Sequence, residues 1–380
     1  MGDVAPLRGG YAFKSSEYKK DGTPIVRISN ILPDGSIGAD FACYDDMEND
    51  ENISLRNGDA LLAMSGATTG KVSILKCKNT DKYYQNQRVG YFKRNIQYNY
   101  DFVSTIVRSD LFKEQLMSVL VAGAQPNVSS KEIDSFEFVF PLNIEEQKKI
   151  GQYFANLDTL ITLHQRKCDE TKRLKKYMLQ KMFPQNGEKV PEIRFSGFTD
   201  DWEQRKLGDV VEDYVEKTTV EDQYPVLTSS QRKGIVLQDD FFAGDRVNQN
   251  GNIGYFIIPR GYFAFRSRSD NDVFVFNRND AVDMGIISYF YPVFKPRGVD
   301  SDFLLRRLNY GLEDQIKINS EGTGQHVLSL KKFKNMIGLF PSYEEQKKIG
   351  SYFSQIDHLI TLHQQKYFYH IYTFNQTKEL

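Results

Sequence analysis

Several loops of this 380-residue sequence are rich in side chains that could contact nucleic acid. Loops 85–88, 125–127, 246–250 and 266–269 concentrate Arg, Asn, Gln and Ser. Arg, Asn and Gln form the bidentate hydrogen bonds that distinguish base edges, and they also hold phosphates. The candidate contacts are Gln85, Asn86, Arg88, Gln125, Asn127, Ser129, Arg246, Asn248, Arg266, Arg268, Gln325, His326 and Ser329. For any one loop a solvated surface is the stronger interpretation, because exposed loops are commonly rich in these residue types.

The sequence contains no motif of a catalytic site. Residues 65–72, SGATTGKV, resemble a phosphate-binding loop, but the spacing from glycine to lysine is one residue short. Val72 also stands where a hydroxyl would be needed to hold magnesium, so we expect a turn between strands. We find no glycine-rich cofactor loop of the dinucleotide or methyl-donor kind. The sequence therefore predicts a binding protein that carries no cofactor of its own.

Histidines and cysteines do not form a metal-binding pattern. His164 and His363 lie at matching positions of a mainly apolar stripe, where a lone histidine is more often a packed polar residue than a ligand. The three cysteines, Cys43, Cys77 and Cys168, are far apart and form no CxxC pair. We expect reduced cysteines and no metal.

The composition is that of a globular protein with two domains. Apolar residues make up 40% and charged residues 26% of the chain, no apolar run approaches the ~18 residues of a membrane span, and no secretory signal is recognised, so we expect a cytoplasmic protein without a membrane partner. A net charge of -1 does not by itself indicate nucleic acid. Seven Lys and Arg residues nevertheless cluster in residues 166–181.

An internal repeat organises the chain. Residues 145–167 return as residues 344–366, with identity at 17 of 23 positions and an offset of 199. Weaker matches keep the same order, among them the loops 123–128 and 322–327. Because these loops recur, residues 125, 127 and 129 and their counterparts 325, 326 and 329 are the favoured contacts; a purely structural turn is an equally strong alternative. The sequences in between have almost nothing in common, so the scaffold is shared and the surfaces differ.

Each repeated segment has the pattern of a long helix. Apolar residues alternate at spacings of three and four, as in the seam of a coiled coil, and two glutamates begin each helix. The first helix can run for about 40 residues and needs a partner for its seam, which only the second copy provides. The linker between them favours an antiparallel pair. The predicted seam, which also serves as a partner-docking surface, consists of Ile150, Tyr153, Leu157, Leu160, Ile349, Tyr352, Ile356 and Leu359.

The variable segments have the pattern of short strands and helices. In the first copy, residues 101–120 predict one helix with Phe102, Ile106 and Leu111 facing inward. The predicted strands of that copy are 23–31, 60–64, 70–75 and 88–92. The second copy predicts a helix near 302–316 and strands at 225–227, 254–258, 261–265, 272–276 and 286–294.

The plan as a whole resembles the specificity subunit of type I restriction-modification enzymes. The resemblance covers nearly the whole chain and depends on three segments: residues 141–158 with their copy, the loop GAQPNVS at 123–129, and WEQRKLGDV at 202–210. It implies an α+β fold, with two mixed α/β target recognition domains joined by two long helices that form an antiparallel coiled coil with a pseudo-twofold internal repeat.

The resemblance also implies a function. Each recognition domain would read one half of an asymmetric bipartite target in double-stranded DNA, while the helices set the spacer and dock two modification subunits. The chain itself would not be an enzyme. S-adenosylmethionine, ATP and Mg²⁺ would be bound by the modification subunits and by two restriction subunits, which are ATP-dependent translocases and nucleases. The domains implied are 1–142 and 206–342 for recognition, 143–184 and 343–376 for the helices, and 185–205 for the linker.

Two departures from that family pattern stand out. No counterpart of residues 191–207 precedes the first domain, which suggests a truncated or rearranged N-terminus. Identity between the copies also ends after Lys366, which predicts a second helix that is short or badly paired at its end. A rival from another class, a two-domain protein-binding adaptor with a coiled-coil spacer, is not excluded by the loop chemistry.

Overall fold

The computed structural model describes residues 1–32, 35–122, 127–185, 187–242, 251–270, 273–322 and 325–376. The chain forms two compact units. Unit 1 consists of Met1–His164 together with Gln365–Leu380, and unit 2 consists of Gln165–Gln364. Both long helices therefore contribute residues to both units.

Unit 1 contains eight described strands, three short α-helices and the start of the first long helix. Three single-turn 3-10 helices also occur, at Ser15–Glu17, Ile28–Asn30 and Asp50–Asn52. The strands are β1 (Leu7–Arg8), β2 (Thr23–Val26), β3 (Ala42–Tyr44), β4 (Ser54–Leu55), β5 (Ala60–Ala63), β6 (Val72–Ile74), β7 (Tyr83–Gln85) and β8 (Val89–Phe92). The helices are α1 (Tyr100–Ile106), α2 (Asp110–Ala122), α3 (Ser130–Asp134) and the long α4 (Ile144–Met182).

Unit 2 contains the corresponding elements and a few additions. Its strands are β9 (Glu203–Lys206), β10 (Val211–Tyr214), β11 (Val226–Ser230), β12 (Gly234–Leu237), β13 (Phe256–Pro259), β14 (Phe263–Phe265), β15 (Arg268–Ser269), β16 (Phe276–Arg278), β17 (Met284–Ile287), β18 (Val293–Pro296), β19 (His326–Val327) and β20 (Ile337–Phe340). Its helices are α5 (Leu207–Val210), α6 (Gln238–Phe241), α7 (Ser301–Leu308), α8 (Glu313–Asn319), α9 (Leu330–Asn335) and the long α10 (Tyr343–Gln376).

The two units share one sheet topology although their variable sequences are unrelated. In unit 1 the orders are β1-β8-β5-β6 and β3-β2-β7-β4, and in unit 2 they are β10-β18-β14-β16 and β12-β11-β17-β13. Each second sheet contains one parallel pair, β2 with β7 and β11 with β17. The pattern of buried apolar positions, and not residue identity, therefore specifies this fold. The mixed α+β fold class is as predicted.

Most predicted strands of the variable segments are present. The prediction of one strand at 286–294 is wrong, because Met284–Ile287 and Val293–Pro296 belong to different sheets. The prediction of one helix at 101–120 is also wrong, because the chain turns at 107–109 and begins α2 at Asp110. After this break Phe112 is fully buried, whereas Leu111, which was predicted to face inward, is 56% exposed. The turn predicted at residues 65–72 lies between β5 and β6.

The two long helices run antiparallel. In unit 1 the Phe154 ring contacts that of Phe374 at 5.4 Å between centroids, and the His164 ring stacks on that of His370 at 5.5 Å. As residue numbers rise along α4, those of its contacts on α10 fall. His164 is 8% exposed, so it is a packed residue as predicted.

Unit 2 gives the same direction for the pair. Lys175 Nζ lies 2.6 Å from Asp357 Oδ1, and the Phe183 ring, directly after α4, lies 6.1 Å from that of Phe353. The tail of α10 follows the same register, because Phe374 and His370 pack against α4 within unit 1. The expectation of a short or badly paired second helix is therefore wrong: aromatic side chains replace the aliphatic seam and the helix continues to Gln376.

The seam of α4 differs from the predicted set at two positions. Leu157 is buried as expected and Ile150 is partly buried, but Tyr153 is 45% exposed and Leu160 is 37% exposed. Phe154 takes the place of Tyr153 in the core. Tyr153 and Phe154 both fit apolar spacings of three and four along α4. The partner helix decides which of the two is buried, and the sequence of α4 alone does not reveal how the partner packs.

The seam of α10 shows the same shift. Ile349 and Ile356 are buried as predicted, together with Phe353. Leu359 is 45% exposed and lies outside the seam, so its assignment as a core residue is wrong. Tyr352 is half-buried beside Phe195.

The repeated motif EEQKKIG attaches each long helix to the domain before it. In unit 1, Gln147 is 3% exposed; its Oε1 accepts from the amide of Asn99 at 3.0 Å and its Nε2 donates to the carbonyl of Pro141 at 2.8 Å. Asn99 is the N-cap of α1 and accepts from the amide of Phe102. Gly151 lies against this cap, where an added Cβ would be 2.5 Å from the Phe102 nitrogen.

Unit 2 repeats these contacts with different side chains. Gln346 accepts from the amide of Asp300 at 3.0 Å and donates to the carbonyl of Pro341 at 2.9 Å. Asp300 caps α7, and a Cβ on Gly350 would be 2.5 Å from its Oδ1. The glutamines bind only main-chain groups. The same helix can therefore be joined to domains of unrelated sequence.

The segment predicted as a linker is packed into unit 2. Trp202 and Phe183 are each 1% exposed and their rings contact each other. Arg194 forms a bidentate ion pair with the buried Glu345, at 2.7 and 2.8 Å. Residues 203–206 then pair with β20. The predicted linker, residues 185–205, therefore contributes buried side chains and part of a strand to unit 2.

Candidate nucleic-acid interface

Three chain segments meet at the end of β5 in unit 1. The amide of Met64 donates to the carbonyl of Arg88 at 3.1 Å, and the amide of Val128 donates to the carbonyl of Met64 at 2.9 Å. This junction brings two of the predicted loops together. The side chains of Arg88 and Asn127 are exposed beside it, and Asn86 is partly buried, accepting from the amide of Arg88.

Unit 2 has the same junction at the end of β14. The amide of Ser267 donates to the carbonyl of Phe290 at 3.1 Å, and the amide of Leu328 donates to the carbonyl of Ser267 at 2.9 Å. Equivalent hydrogen bonds therefore join equivalent segments in both units. The side chains that project from the junction differ between the units.

In unit 2 the junction continues into a two-stranded ribbon. β15 pairs antiparallel with β19, which places Arg268 opposite Val327 and Ser269 opposite His326. Beside the ribbon, Gln325 Nε2 donates to Asp270 Oδ1 at 2.8 Å. Four predicted contacts, Arg266, Arg268, Gln325 and His326, thus lie in one place.

A basic cleft of about 600 Å³ adjoins this ribbon. Arg266 and Arg268 line it, together with Arg232 and Lys233 of the turn between β11 and β12. Asp270 is the carboxylate among the residues that line the cleft. Among the described residues that line the cleft there are four cations and one carboxylate, and this excess favours a polyanionic ligand, since closely spaced like charges raise the local potential.

Sequence reasoning missed Arg232 and Lys233. Both are exposed, and the turn is fixed because their amides donate to Ser230 Oγ at 3.2 Å. The signal was available in the sequence SSQRKG, in which two cations stand in a turn. Only the fold places that turn next to residues about 35 positions further along the chain.

Gln85 is not available for base contact. It is fully buried, and its Nε2 donates to the carbonyls of Arg8 and Val89, each at 2.6 Å. Its inclusion among the candidates was wrong, because the loop pattern did not reveal that Gln85 ends strand β7 and faces the interior.

Ser129 and Ser329 have structural roles as helix N-caps. Ser129 accepts from the amide of Glu132 and Ser329 from that of Lys332, each at 3.3 Å. Hydrogen bonds from the Ser129 hydroxyl and then from its amide hold the pKa of Glu132 below its ordinary value. These contacts favour the structural interpretation of the recurring loops at residues 129 and 329. The candidates Gln125, Arg246 and Asn248 lie outside the described residues.

The described parts of the chain lack two further features. No group of three or more His, Cys, Asp or Glu side chains there could hold a metal ion. No helix there is both long and apolar enough to cross a membrane.

Comparison with known proteins gives a consistent family. The model of the type I restriction modification DNA specificity domain matches residues 1–173 and again 199–367. The chain is 25% identical over 183 residues to the type I restriction enzyme MjaVIII specificity subunit of Methanocaldococcus jannaschii, and this match spans 47% of the chain but only 43% of that relative. The S subunit of a type I restriction-modification system from M. genitalium has the same fold, with a TM-score of 0.63, 12% identity, and coverage of 99% of this chain and 93% of that one.

Proposed function

Because the chain belongs to the family of type I restriction modification DNA specificity domains, we propose that it is the sequence-reading subunit of a type I restriction-modification complex. Each recognition domain, 1–142 and 206–342, reads one half of an asymmetric bipartite target in double-stranded DNA. The chain performs no catalysis. It acts in the cytoplasm by directing partner subunits to the target.

The repeated junction is the observation that carries this proposal. Both units use the same hydrogen bonds to hold three segments, at Met64 in unit 1 and at Ser267 in unit 2, and each exposes a different set of polar side chains there. Two domains that share the same main-chain hydrogen bonds but expose different side chains are suited to reading two different DNA sequences. Because the exposed side chains differ between the units, we expect the two halves of the DNA target to differ as well.

The long helices set the unread spacer and dock two modification subunits. Leu160 supports docking on α4, because it is exposed and is repeated on α10 as the exposed Leu359. Tyr153 is exposed as well, whereas its counterpart Tyr352 is half-buried beside Phe195. Exposed apolar residues that recur at the same places on two helices suit a partner that binds twice. The seam residues Ile150, Leu157, Ile349 and Ile356 hold the pair of helices together.

The partner subunits supply the chemistry of this proposal. Two modification subunits bind S-adenosylmethionine and methylate adenine. Two restriction subunits bind ATP and Mg²⁺. The basic cleft of unit 2 adds phosphate contact to a chain with a net charge of only -1, and the modification subunits supply the rest.

Methylation mapping tests the reading function. The chain is expressed with its modification subunit in a host without other adenine methylation, and the methylated positions of the genome are sequenced. We expect one bipartite motif with a fixed spacer. Replacing residues 5–122 with the segment of another such chain should change one half of the motif only. A stable complex that marks no bipartite motif would reject the proposal and favour the adaptor.

Helix length tests the spacer. Four residues are inserted into α4 after Leu163 and four into α10 after His370, whose ring stacks on that of His164. At 1.5 Å per residue the helices lengthen by about 6 Å, so the spacer should grow by about two base pairs. An unchanged spacer in an active complex would contradict the proposed role of the helices.

A further inference from the structure

We propose that Arg268 reads a guanine through the major groove in the half-site bound by unit 2. This inference rests on the proposed function and adds a residue and a base to it. The ribbon formed by β15 and β19 is the element that presents the side chain. A major groove is wide enough to admit a two-stranded ribbon.

The ribbon separates an inner face from an outer face. Ser269 is 4% exposed and its cross-strand neighbour His326 is partly buried. Arg268 is exposed and its neighbour Val327 is 38% exposed. Side chains alternate along a strand, so Arg268 and Val327 share the outer face. Arg268 is therefore accessible to a ligand that approaches this face from solvent.

The guanidinium of Arg268 is oriented before any ligand arrives. Its central carbon lies 4.9 Å from the centroid of the Phe290 ring, within the range of a cation–π contact. The hydrogen bonds and ion pairs found in the described part of the chain do not engage this guanidinium. The contact with the ring holds the guanidinium beside Phe290, and its N–H groups remain available to a ligand. Guanine offers O6 and N7 as a matching pair of acceptors.

The surrounding charges favour a base over a phosphate at Arg268. Asp270, two residues further on, accepts from Gln325 and places a carboxylate beside the ribbon. A carboxylate repels the full negative charge of a phosphate more strongly than it repels the partial charges of a base edge. Arg232 and Lys233 lie on the turn between β11 and β12, not on the ribbon, and supply charge for the DNA backbone. The cleft thus divides phosphate contact from base contact.

The experiment uses the whole complex with the modification subunits. After the motif is mapped, each guanine in the half-site of unit 2 is replaced in turn with 7-deazaguanine, which lacks the N7 acceptor. We expect one such replacement to weaken binding by wild type, within the about 5- to 150-fold that a bidentate pair provides. The Arg268→Gln variant should be insensitive to it and should no longer require guanine at that position.

The Arg266→Gln variant is the matched control, since Arg266 lies two residues away in the same cleft. It should weaken binding to all sequences alike, lower the salt dependence by about one phosphate contact, and leave the motif unchanged. If Arg268→Gln behaves in that way, or if the half-site of unit 2 has no guanine, the inference about Arg268 is overturned. A wild-type complex that marks no bipartite motif would instead reject the proposed function.

Discussion

Replacing Gly151 with alanine tests how α4 is attached to unit 1. A Cβ at this position would lie 2.5 Å from the Phe102 nitrogen, 2.8 Å from the Asp101 carbonyl carbon and 2.9 Å from Asn99 Oδ1. Two of these three atoms are main-chain atoms, so the overlap cannot be relieved by a rotamer change. α4 would have to move away from the N-cap of α1.

The energetic balance can be worked from these distances. Alanine in a helix interior gains up to about 1 kcal/mol over glycine. Overpacking costs about 1–3 kcal/mol, and moving α4 would also weaken the hydrogen bond between Gln147 and the Asn99 amide, for about 1 kcal/mol more. We expect net destabilisation of about 1–3 kcal/mol, or roughly 2 to 12 °C in the melting temperature of a unit of this size.

Calorimetry and hydrogen exchange measure this effect. The transition of unit 1 should move down while that of unit 2 is retained, and the amide of Phe102 should lose protection from exchange. Gly350→Ala should lower the transition of unit 2 in the same way, because a Cβ at position 350 would lie 2.5 Å from Asp300 Oδ1. The exposed Ser351→Ala is the control, since it adds helix propensity without an overlap. If Gly151→Ala stabilises the protein as Ser351→Ala does, the proposed close contact is wrong.

Three further predictions follow from the described contacts. Gln147→Leu should destabilise unit 1 by about 1–3 kcal/mol in urea unfolding, because it leaves two partly buried main-chain groups without their hydrogen bonds. A loss of stability no larger than that of an exposed surface change would contradict this role. Ser129→Ala should raise the pKa of Glu132 in an NMR titration, because the hydrogen bonds from Ser129 lower that pKa in the wild type. The stability that the ionised Glu132 adds to the folded state is present above about pH 4.3 and is lost as the pH falls through the lowered pKa of the folded state. An unchanged pKa in the variant would be inconsistent with the capping box. Asp357→Asn should lower the melting temperature more than Asp158→Asn, the same change at its repeat counterpart. In the described structure Asp357 pairs with Lys175 and Arg306, whereas Asp158 pairs with Arg108. Equal shifts of the melting temperature would contradict this difference.

The repeat made much of the architecture predictable from sequence. The closely similar segments at 145–167 and 344–366 indicated two long helices in an antiparallel pair, and the turn signals placed many strands correctly. The break between α1 and α2 was missed, because the apolar pattern continues across it. Leu111 and Phe112 both fit a helix face, and only the packing of β8 against Phe112 selects between them.

The candidate site was predicted as a set of loops and not as a surface. Sequence placed Arg266, Arg268, Gln325 and His326 in two loops about 60 residues apart. The hydrogen bond from Leu328 to Ser267 is what joins those loops. Gln85 looked equivalent to its neighbours in sequence but is fully buried, since burial depends on which face of a strand meets the core.

The sequence by itself determined that two units of one plan exist, because repetition and helix periodicity are local properties that packing does not alter. The tertiary structure decided which residues of each unit come together. It selected Phe154 over Tyr153 for the seam, and it placed Arg268 over the Phe290 ring beside cations from a distant turn. Such contacts depend on the relative positions of elements far apart in the chain, and sequence spacing carries no measure of those positions.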